Sequence, residues 1–282
     1  MIKIALPNKG TLSEDAVRLM TEAGYACKRY DRELFVYDKK NDVEFIFLRP
    51  RDIAVYVNRG LIAIGITGRD LAREADVAFD EVLTLGFGQS KFCYAVPRES
   101  SLAPDVFNGL RIATSYPHLV RQDMARRKIA ADIVKLDGAV EISVKLGVAD
   151  VIADVVQTGR TLTEAGLKIV GSPILESEAL VIAGPQTSIN DTAIQTCLDR
   201  LRGIVVAREY VMVEYDAPEI LLEKFCAITP GIESPTIAPL SKSGWVAVKA
   251  MVRQKEANRV MDELTSLGAK GIIVTNIRTC RL

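Results

Sequence analysis

The chain has 282 residues, of which 49% are hydrophobic, and its 36 Lys and Arg residues balance its 36 Asp and Glu residues. A chain of this length and composition can bury a substantial core, and we expect two or three domains. The zero net charge argues against a protein that binds nucleic acid or an anionic membrane through its whole surface. Any anion site therefore has to be built locally.

The cysteine and histidine content argues against two further classes of site. The five cysteines are scattered without a C-x-x-C pair, and the chain has one histidine, His118. Neither a structural zinc site nor a disulfide framework is predicted. The sequence has no signal-peptide pattern and no apolar run long enough to span a bilayer, so we expect a cytoplasmic protein that makes no use of a membrane.

The first part of the chain alternates strands with helices. Apolar strands at residues 2–6, 45–48 and 61–66 each run into a polar turn. This order is typical of a mostly parallel sheet, whose ligands bind beyond the carboxyl ends of the strands. We therefore expect the residues that follow these strands to lie at one edge of the sheet. They are Lys9, Arg49 and Asp70.

A second α/β unit is predicted from residue 91. Its strands are expected at residues 92–96, 111–114, 133–136 and 149–156, with helices at 119–130 and 141–146. Residues 180–183 have the pattern of a strand that returns to the first unit. We therefore predict two lobes with a cleft between them, the first formed by residues 1–90 and 179–208 and the second by residues 91–178.

The last part of the chain, residues 209–282, differs in character from the two lobes. Its predicted elements follow the order β-α-β-β-α-β, which is a ferredoxin-like pattern. Small units of this kind commonly sense a small ligand, although the fold alone gives only a weak indication of function.

The most informative segment is residues 151–162, where an apolar strand runs into a polar turn. The turn consists of Gln157, Thr158, Gly159 and Arg160. Gly159 allows the backbone to approach a ligand closely, and the spacing of Thr161 and Glu164 predicts a capping box with the helix N-cap at Thr161. Free backbone amides, two threonine hydroxyls, the helix dipole and the Arg160 guanidinium together favour a bound phosphate dianion.

Asp154 lies at the entrance of this turn and has a different predicted role. A carboxylate repels a phosphate, so its partners are expected to be ribose hydroxyls or a magnesium ion. The alternative interpretation is an ordinary strand, turn and capped helix with a solvated Arg160, because short motifs often match by chance. The segment by itself does not decide between the two.

Several motifs, taken in chain order, resemble the ATP phosphoribosyltransferase family in its long form, which has a C-terminal regulatory domain. They are LPNKG at residues 6–10, GITGRDL at 65–71, DGAVE at 137–141, GVAD at 147–150, DVVQTGRTL at 154–162 and TPGIESPT at 229–236. Separate motifs in the right order are far more specific than any one of them. Many members have an arginine directly after the Lys-Gly pair, where this chain has Thr11.

The resemblance covers essentially the whole chain. It implies an α/β fold with two lobes like those of periplasmic binding proteins, an active site in the cleft, and a histidine-binding regulatory domain of the ferredoxin-like, ACT-like type at residues 209–282. The implied reaction transfers the phosphoribosyl group of phosphoribosyl pyrophosphate to N1 of ATP, the first step of histidine biosynthesis. No residue is expected to act as a nucleophile or as an acid or base.

The resemblance also implies roles for individual residues. The phosphoribosyl donor would be bound by Glu141, Asp154, Gln157, Thr158, Gly159, Arg160 and Thr161. ATP or pyrophosphate would be bound by Lys9, Gly10, Arg49, Asp70 and Tyr116, with the Tyr116 ring stacked on adenine. The inhibitor L-histidine would be bound by Asp216, Ser234 and Thr236, between subunits of a homo-hexamer.

Magnesium is the expected cofactor, because enzymes usually handle polyphosphate substrates as metal complexes. Glu141 and Asp154 are the candidate protein ligands, and the sequence does not choose between them. Substrate oxygens are expected to supply much of the coordination.

Three other functions fit parts of the pattern. A two-lobed solute-binding protein would explain the cleft, but such proteins are usually exported and no signal peptide is evident. A transcriptional regulator would need a helix-turn-helix and a basic face, and neither stands out. A phosphoribosyltransferase for another base would share the Asp154 turn, but the Lys9-Gly10 turn and the C-terminal unit disfavour it.

Overall fold

The computed structural model describes residues 1–30 and 33–281. The chain forms two compact units, Met1–Gln195 and Thr196–Leu282. None of the helices within the described residues is both long and apolar enough to cross a membrane.

The chain begins with alternating strands and helices, as predicted. The elements are β1 (Ile2–Pro7), α1 (Thr11–Glu22), β2 (Phe35–Asp38), β3 (Val43–Leu48), α2 (Pro50–Asn58), β4 (Ile64–Gly68), α3 (Arg69–Glu74) and β5 (Asp80–Thr84). The predicted third strand begins later than expected, because residues 61–63 form a bend before β4. Pro50 occupies the first turn of α2, where its missing N–H costs no hydrogen bond.

A second set of elements follows. They are β6 (Ser90–Pro97), β7 (Arg111–Thr114), α4 (Pro117–Arg127), β8 (Asp132–Lys135), β9 (Val151–Val156), α5 (Arg160–Glu164), β10 (Leu167–Ser177) and β11 (Ala179–Ala183). The predicted helix at residues 141–146 is wrong. The segment forms only a 3-10 turn at Val140–Ile142, which starts from the left-handed conformation of Ala139 and continues as irregular turns.

These strands build two sheets. The first sheet has the order β2-β3-β1-β4-β11-β5, in which β3, β1 and β4 are parallel neighbours. The second sheet has the order β10-β6-β9-β7-β8. We refer to each sheet with its helices as the first and the second lobe. The chain passes from the second lobe back to the first between β10 and β11, at residues 177–179, which we call the crossover.

Each lobe has its own apolar core. The first is built around Phe45, Phe47 and Leu6, and the second around Phe92, Tyr94 and Phe107, all with negligible exposure. Burial of such side chains contributes about 1.5–3 kcal/mol each relative to exposure. The cores therefore hold the loops at the carboxyl ends of the strands on rigid supports.

The C-terminal unit contains most of helix α6 (Thr192–Glu209). It continues with β12 (Tyr210–Pro218), α7 (Leu222–Ile228), β13 (Thr236–Pro239), β14 (Trp245–Arg253), α8 (Ala257–Ser266) and β15 (Lys270–Asn276). These strands form an antiparallel sheet in the order β13-β14-β12-β15. The predicted β-α-β-β-α-β order is confirmed, while the predicted domain boundaries stay a prediction.

Candidate active site

The loop between β9 and α5 begins with a left-handed turn. Gly159 has φ 76° and ψ 0° and occupies the N-cap position of α5, a conformation that costs glycine little and other residues more. The predicted N-cap at Thr161 is wrong, since Thr161 already lies inside the helix and no side chain caps it. The predicted capping box is absent because Glu164 pairs with Arg160 instead, with 2.7 Å between Nε and Oε1.

A cavity of about 290 Å³ lies against this loop. It brings together Glu141 and Asp154 with five residues of the turn and its helix, and its lining residues are Glu141, Asp154, Val155, Val156, Gln157, Thr158, Gly159, Thr161 and Leu162. Six of the seven residues that the sequence assigned to the phosphoribosyl donor therefore line one cavity. Their common position is a geometric finding, whereas their role in binding stays a prediction.

Arg160 is the exception among the predicted donor-binding residues. Its side chain is 84% exposed and forms the ion pair with Glu164 within α5. It does not line the cavity. An exposed pair of this kind contributes little to stability, so this contact does not strongly hold the guanidinium in place.

The carboxylates of Glu141 and Asp154 both line this cavity. Burial raises the pKa of Asp154, a hydrogen bond from the Val155 amide lowers it, and the negative charge of Glu141 raises it, with a net upward shift. The site therefore carries an unfavourable concentration of negative charge that a cation or hydroxyl donors would relieve. Within the described residues, no cluster of three or more His, Cys, Asp or Glu side chains is arranged to hold a metal ion.

A larger hollow of about 490 Å³ shares Val156 and Gln157 with this cavity. Its other lining residues come from the crossover region and the nearby strands and helix, and they are Arg69, Gln89, Ser90, Lys91, Glu176, Ser177 and Glu178. The loop between β9 and α5 thus has open space on two sides.

Lys9 and Arg49 lie at adjacent strand ends, as predicted. The last paired residues of β1 and β3 are Pro7 and Leu48, so the two basic side chains follow neighbouring positions of the sheet. Both are exposed, and neither makes a hydrogen bond or ion pair within the described residues. They are free to meet a ligand at the carboxyl edge of the first sheet.

The turn that carries Lys9 also contains an unpaired buried atom. Oδ1 of Asn8 is buried without a hydrogen-bond partner within the described residues. Gly10 follows as the N-cap of α1, and Thr11 is the exposed first residue of that helix. Sequence reasoning did not single out Asn8, although an amide next to a basic turn residue is a reasonable ligand group.

Asp70 and Tyr116 are brought together across the two lobes. The Tyr116 hydroxyl donates a hydrogen bond to Asp70 Oδ2 at 2.9 Å, and the two residues are 8% and 6% exposed. Arg51 lies over the Tyr116 ring, with its guanidinium carbon 5.2 Å from the ring centroid. Burial and the negative charge of Asp70 raise the pKa of Tyr116, so the hydroxyl stays protonated and acts as a donor.

Two of the three predicted histidine-binding residues line the same cavity. Ser234 and Thr236 line a cavity of about 460 Å³ in the C-terminal unit, together with Glu233 and Lys249. Asp216 does not line it, and pairs within the sheet with Ala247 and Lys270.

Comparison with known proteins decides the family. A family model described as ATP phosphoribosyltransferase matches residues 49–203, and a second, described as HisG, C-terminal domain, matches residues 207–279. The ATP phosphoribosyltransferase of Salinibacter ruber is 57% identical over 100% of both chains. The chain belongs to the ATP phosphoribosyltransferase family. It is therefore a transferase of histidine biosynthesis, and the family uses a metal cofactor.

Two further comparisons agree. The ATP phosphoribosyltransferase of Pseudarthrobacter chlorophenolicus is 52% identical over 100% of both chains. A solved structure of the ATP phosphoribosyl transferase (HisG:HisZ) complex from Thermotoga maritima matches with a TM-score of 0.65 and 26% identity, over 73% of this chain and 99% of that chain. The predicted α/β fold with a separate C-terminal domain is confirmed.

Proposed function

We propose that the cavity beside the loop between β9 and α5 binds phosphoribosyl pyrophosphate, and that the enzyme transfers its phosphoribosyl group to N1 of ATP. The observation that carries this proposal is the cavity itself, which is lined by Glu141 and Asp154 together with Thr158 and Gly159 of the turn and Thr161 of α5. Carboxylates suit hydroxyl groups and cations, whereas loop amides and hydroxyls suit a phosphate. A ribose 5-phosphate has both kinds of group.

The 5-phosphate would be bound by the turn. Because Gly159 has a positive φ and no side chain, the backbone amides of the turn can come close to phosphate oxygens, and the hydroxyls of Thr158 and Thr161 add donors. Helix α5 has only five residues, so the amides and hydroxyls carry this interaction more than a helix dipole does. Arg160 would have to leave Glu164 to contribute.

Glu141 and Asp154 would contact the ribose hydroxyls or a magnesium ion. The residues fit a cation, because the half-buried Asp154 carboxyl shares this cavity with Glu141, and burial together with the negative charge of Glu141 raises the pKa of Asp154. Two carboxylates are fewer than a complete coordination shell, so we propose Mg²⁺ held chiefly by pyrophosphate oxygens. Bound Mg²⁺ would neutralise charge on the pyrophosphate as it leaves.

Lys9, Gly10 and Arg49 would bind ATP or pyrophosphate phosphates from the first lobe. The proposal is supported by their position, because Lys9 and Arg49 are exposed, have no ion pair in the described part of the chain, and follow neighbouring strands of the first sheet. Tyr116 and Asp70 would act on the adenine side. Tyr116 has Arg51 over its ring and little exposed surface, so stacking on adenine requires access to the remaining edge or face of the ring.

The chemistry needs positioning and charge stabilisation. N1 of adenine attacks the anomeric carbon of the donor, the bond from that carbon to the pyrophosphate oxygen breaks, and pyrophosphate leaves with its electron pair. No covalent intermediate with the protein is required. The enzyme has to hold two polyanions together and align the reacting atoms, which is the contribution of the cavity and of the basic turn residues.

The C-terminal unit would carry feedback inhibition by L-histidine. Ser234 and Thr236 line its cavity and offer hydroxyls, whereas Asp216 lies on the same sheet outside that cavity. We propose that the histidine site lies between subunits, with Asp216 contributing from outside this cavity. The proposed assembly is a homo-hexamer, and the cytoplasm is the proposed compartment for the enzyme.

The test is product formation. Purified protein is mixed with ATP, phosphoribosyl pyrophosphate and magnesium, and phosphoribosyl-ATP is followed by its ultraviolet absorbance. Parallel reactions replace ATP with adenine, guanine or orotate. Product with ATP and not with the free bases supports the proposal. Product with a free base only would assign the enzyme a different acceptor, and binding without turnover would make it a binding protein.

A further inference from the structure

Ser177 is a buried residue to which no role has yet been given. It is the last residue of β10, at the crossover from the second lobe to the first, and is 4% exposed. Its hydroxyl donates to Asp70 Oδ1 at 2.6 Å and accepts from the Asp70 amide at 3.0 Å. Ser177 and Asp70 lie 107 positions apart in sequence, so this pair of hydrogen bonds is a tertiary feature.

The Asp70 carboxylate is shared between two donors. Its Oδ1 accepts from Ser177 and its Oδ2 from Tyr116. One carboxylate therefore joins helix α3 of the first lobe, the N-cap residue of α4 in the second lobe, and the crossover. Rotation of this carboxylate would leave the hydroxyl hydrogens of Ser177 and Tyr116 without an acceptor, and each such loss costs about 1–3 kcal/mol.

The backbone around Asp70 is built for this arrangement. Asp70 Oδ1 would lie 2.6 Å from a Cβ at position 68, which is closer than real Cβ atoms approach a neighbour, and position 68 is glycine. Arg69 adds two further hydrogen bonds to the residues on either side of Ser177, from its amide to the Glu178 carbonyl at 3.0 Å and from its guanidinium to the Glu176 carbonyl at 3.3 Å. The start of α3 is thus fixed to the crossover on both sides of Ser177.

We propose that Ser177 is a positioning residue of the cleft: it fixes the Asp70 carboxylate, and through it the Tyr116 side chain, for the binding of ATP. Asp70 has one carboxylate oxygen committed to each partner. Loss of the Ser177 hydroxyl frees Oδ1, so the carboxylate gains rotational freedom and the Tyr116 hydroxyl loses its fixed acceptor. The proposal rests on the proposed function only in the choice of ATP as the probe.

The first measurement does not depend on activity. The chain has eight tyrosines, so a sample labelled with ¹³C at the tyrosine ζ carbon gives few resonances, and Tyr116→Phe identifies that of Tyr116. The Tyr116 resonance is expected to move in Ser177→Ala and to return in Ser177→Thr, which keeps the hydroxyl. A Tyr116 resonance that stays in place in Ser177→Ala while it moves in Asp70→Asn would overturn the proposal.

The second measurement is the dissociation constant of ATP by calorimetry. Ser177→Ala should weaken the affinity for ATP about fivefold, which is the effect of one hydrogen bond. The affinity for phosphoribosyl pyrophosphate should not change. The effect should vanish when Tyr116→Phe is already present, since both changes act on the same carboxylate. Unchanged ATP affinity, or full additivity in the double variant, would contradict a role through Tyr116.

Thr187→Val provides the matched control. Thr187 also donates a long-range hydrogen bond, to the Ala63 carbonyl at 3.0 Å, outside the proposed site. It should change thermal stability without moving the Tyr116 resonance or the affinity for ATP. Ser177→Cys retains a weak donor and replaces Ser177→Ala if the latter does not fold. If the wild-type enzyme forms no phosphoribosyl-ATP, the proposed function fails, while the resonance still decides the role of Ser177.

Discussion

Glu74 caps helix α4 through the backbone amide of His118. Glu74 lies in α3 of the first lobe, and its Oε1 accepts from His118 N at 3.1 Å while its Oε2 accepts from Leu119 N at 3.0 Å. The amides at the start of an α-helix attract anions, so one lobe supplies the carboxylate that satisfies a helix of the other. A protein carboxylate therefore already occupies this helix N-terminus.

Removal of this cap should lower stability. Glu74→Ala leaves two amides of α4 without their acceptor, and we expect a loss of about 1–2 kcal/mol in the free energy of unfolding. Thermal unfolding followed by circular dichroism measures the change. Glu99→Ala is the control, since Glu99 is exposed and has no side-chain partner within the described residues. Equal midpoints for the two variants would show that the Glu74 contact adds nothing.

Asp154→Asn should make the protein more stable and less active. Burial, opposed by the Val155 amide and aided by the charge of Glu141, raises the folded-state pKa of Asp154 above its unfolded value. The folded state therefore disfavours the ionised form, and this group stabilises the fold only at low pH, with the contribution lost as pH rises through the folded pKa. The neutral amide avoids that loss at pH 7.

Two readouts check this trade-off. The midpoint of thermal unfolding of Asp154→Asn should exceed that of the wild type at pH 7, and the difference should shrink as pH falls towards the ordinary aspartate pKa of 3.8. Its kcat/KM for phosphoribosyl pyrophosphate should fall at least about tenfold, the loss expected for a charged hydrogen bond. A variant with lower stability and wild-type kinetics would remove Asp154 from the site.

Thr161→Val should weaken the binding of phosphoribosyl pyrophosphate without lowering the stability of the fold. Because Gly159 rather than Thr161 occupies the N-cap, the change removes a cavity-lining hydroxyl and no helix cap. We expect the KM for phosphoribosyl pyrophosphate to rise about fivefold to tenfold, with the KM for ATP unchanged. Thr163→Val is the control, since Thr163 donates to the Gly159 carbonyl at 3.1 Å and does not line the cavity. The same kinetic change in both variants would point to loop distortion.

Asp216→Ala should relieve inhibition by L-histidine while it preserves most catalysis at saturating substrates. An allosteric effect requires that histidine favour one conformation, with a coupling of about 1–3 kcal/mol being typical. Initial rates at increasing histidine concentration measure it, and Glu223→Ala, an exposed change in α7, serves as the control. Competitive inhibition against ATP that is unaltered in Asp216→Ala would contradict an allosteric site in this unit.

The order of the elements and the location of the loop between β9 and α5 were predictable because they depend on local pattern. Apolar strands followed by polar turns indicated β1, β3 and β9, and the turn at Gly159 was evident from its sequence. The Thr161 cap was wrong because the capping box depends on a side-chain choice, and Glu164 pairs with Arg160 instead. The prediction of a helix at residues 141–146 was wrong because the turn at Ala139 starts a 3-10 segment that ends at Ile142.

Contacts between the lobes were not predictable from the sequence. Ser177 and Asp70 are 107 positions apart, and neither belongs to a spacing that links them. The burial of Tyr116 under Arg51 likewise depends on how two sheets meet, which no local pattern encodes. Sequence reasoning therefore identified candidate substrate-binding residues and missed the residues proposed to position them.

The central claim is that the cavity of Glu141, Asp154 and the turn at Gly159 binds the ribose 5-phosphate of the donor. A crystal structure of the enzyme with phosphoribosyl pyrophosphate and magnesium tests it most directly. Density for the 5-phosphate is expected against the amides of the turn and the Thr161 hydroxyl, with the ribose hydroxyls facing Glu141 and Asp154. Donor density beside Lys9 and Arg49 with an empty cavity at the turn would contradict the claim.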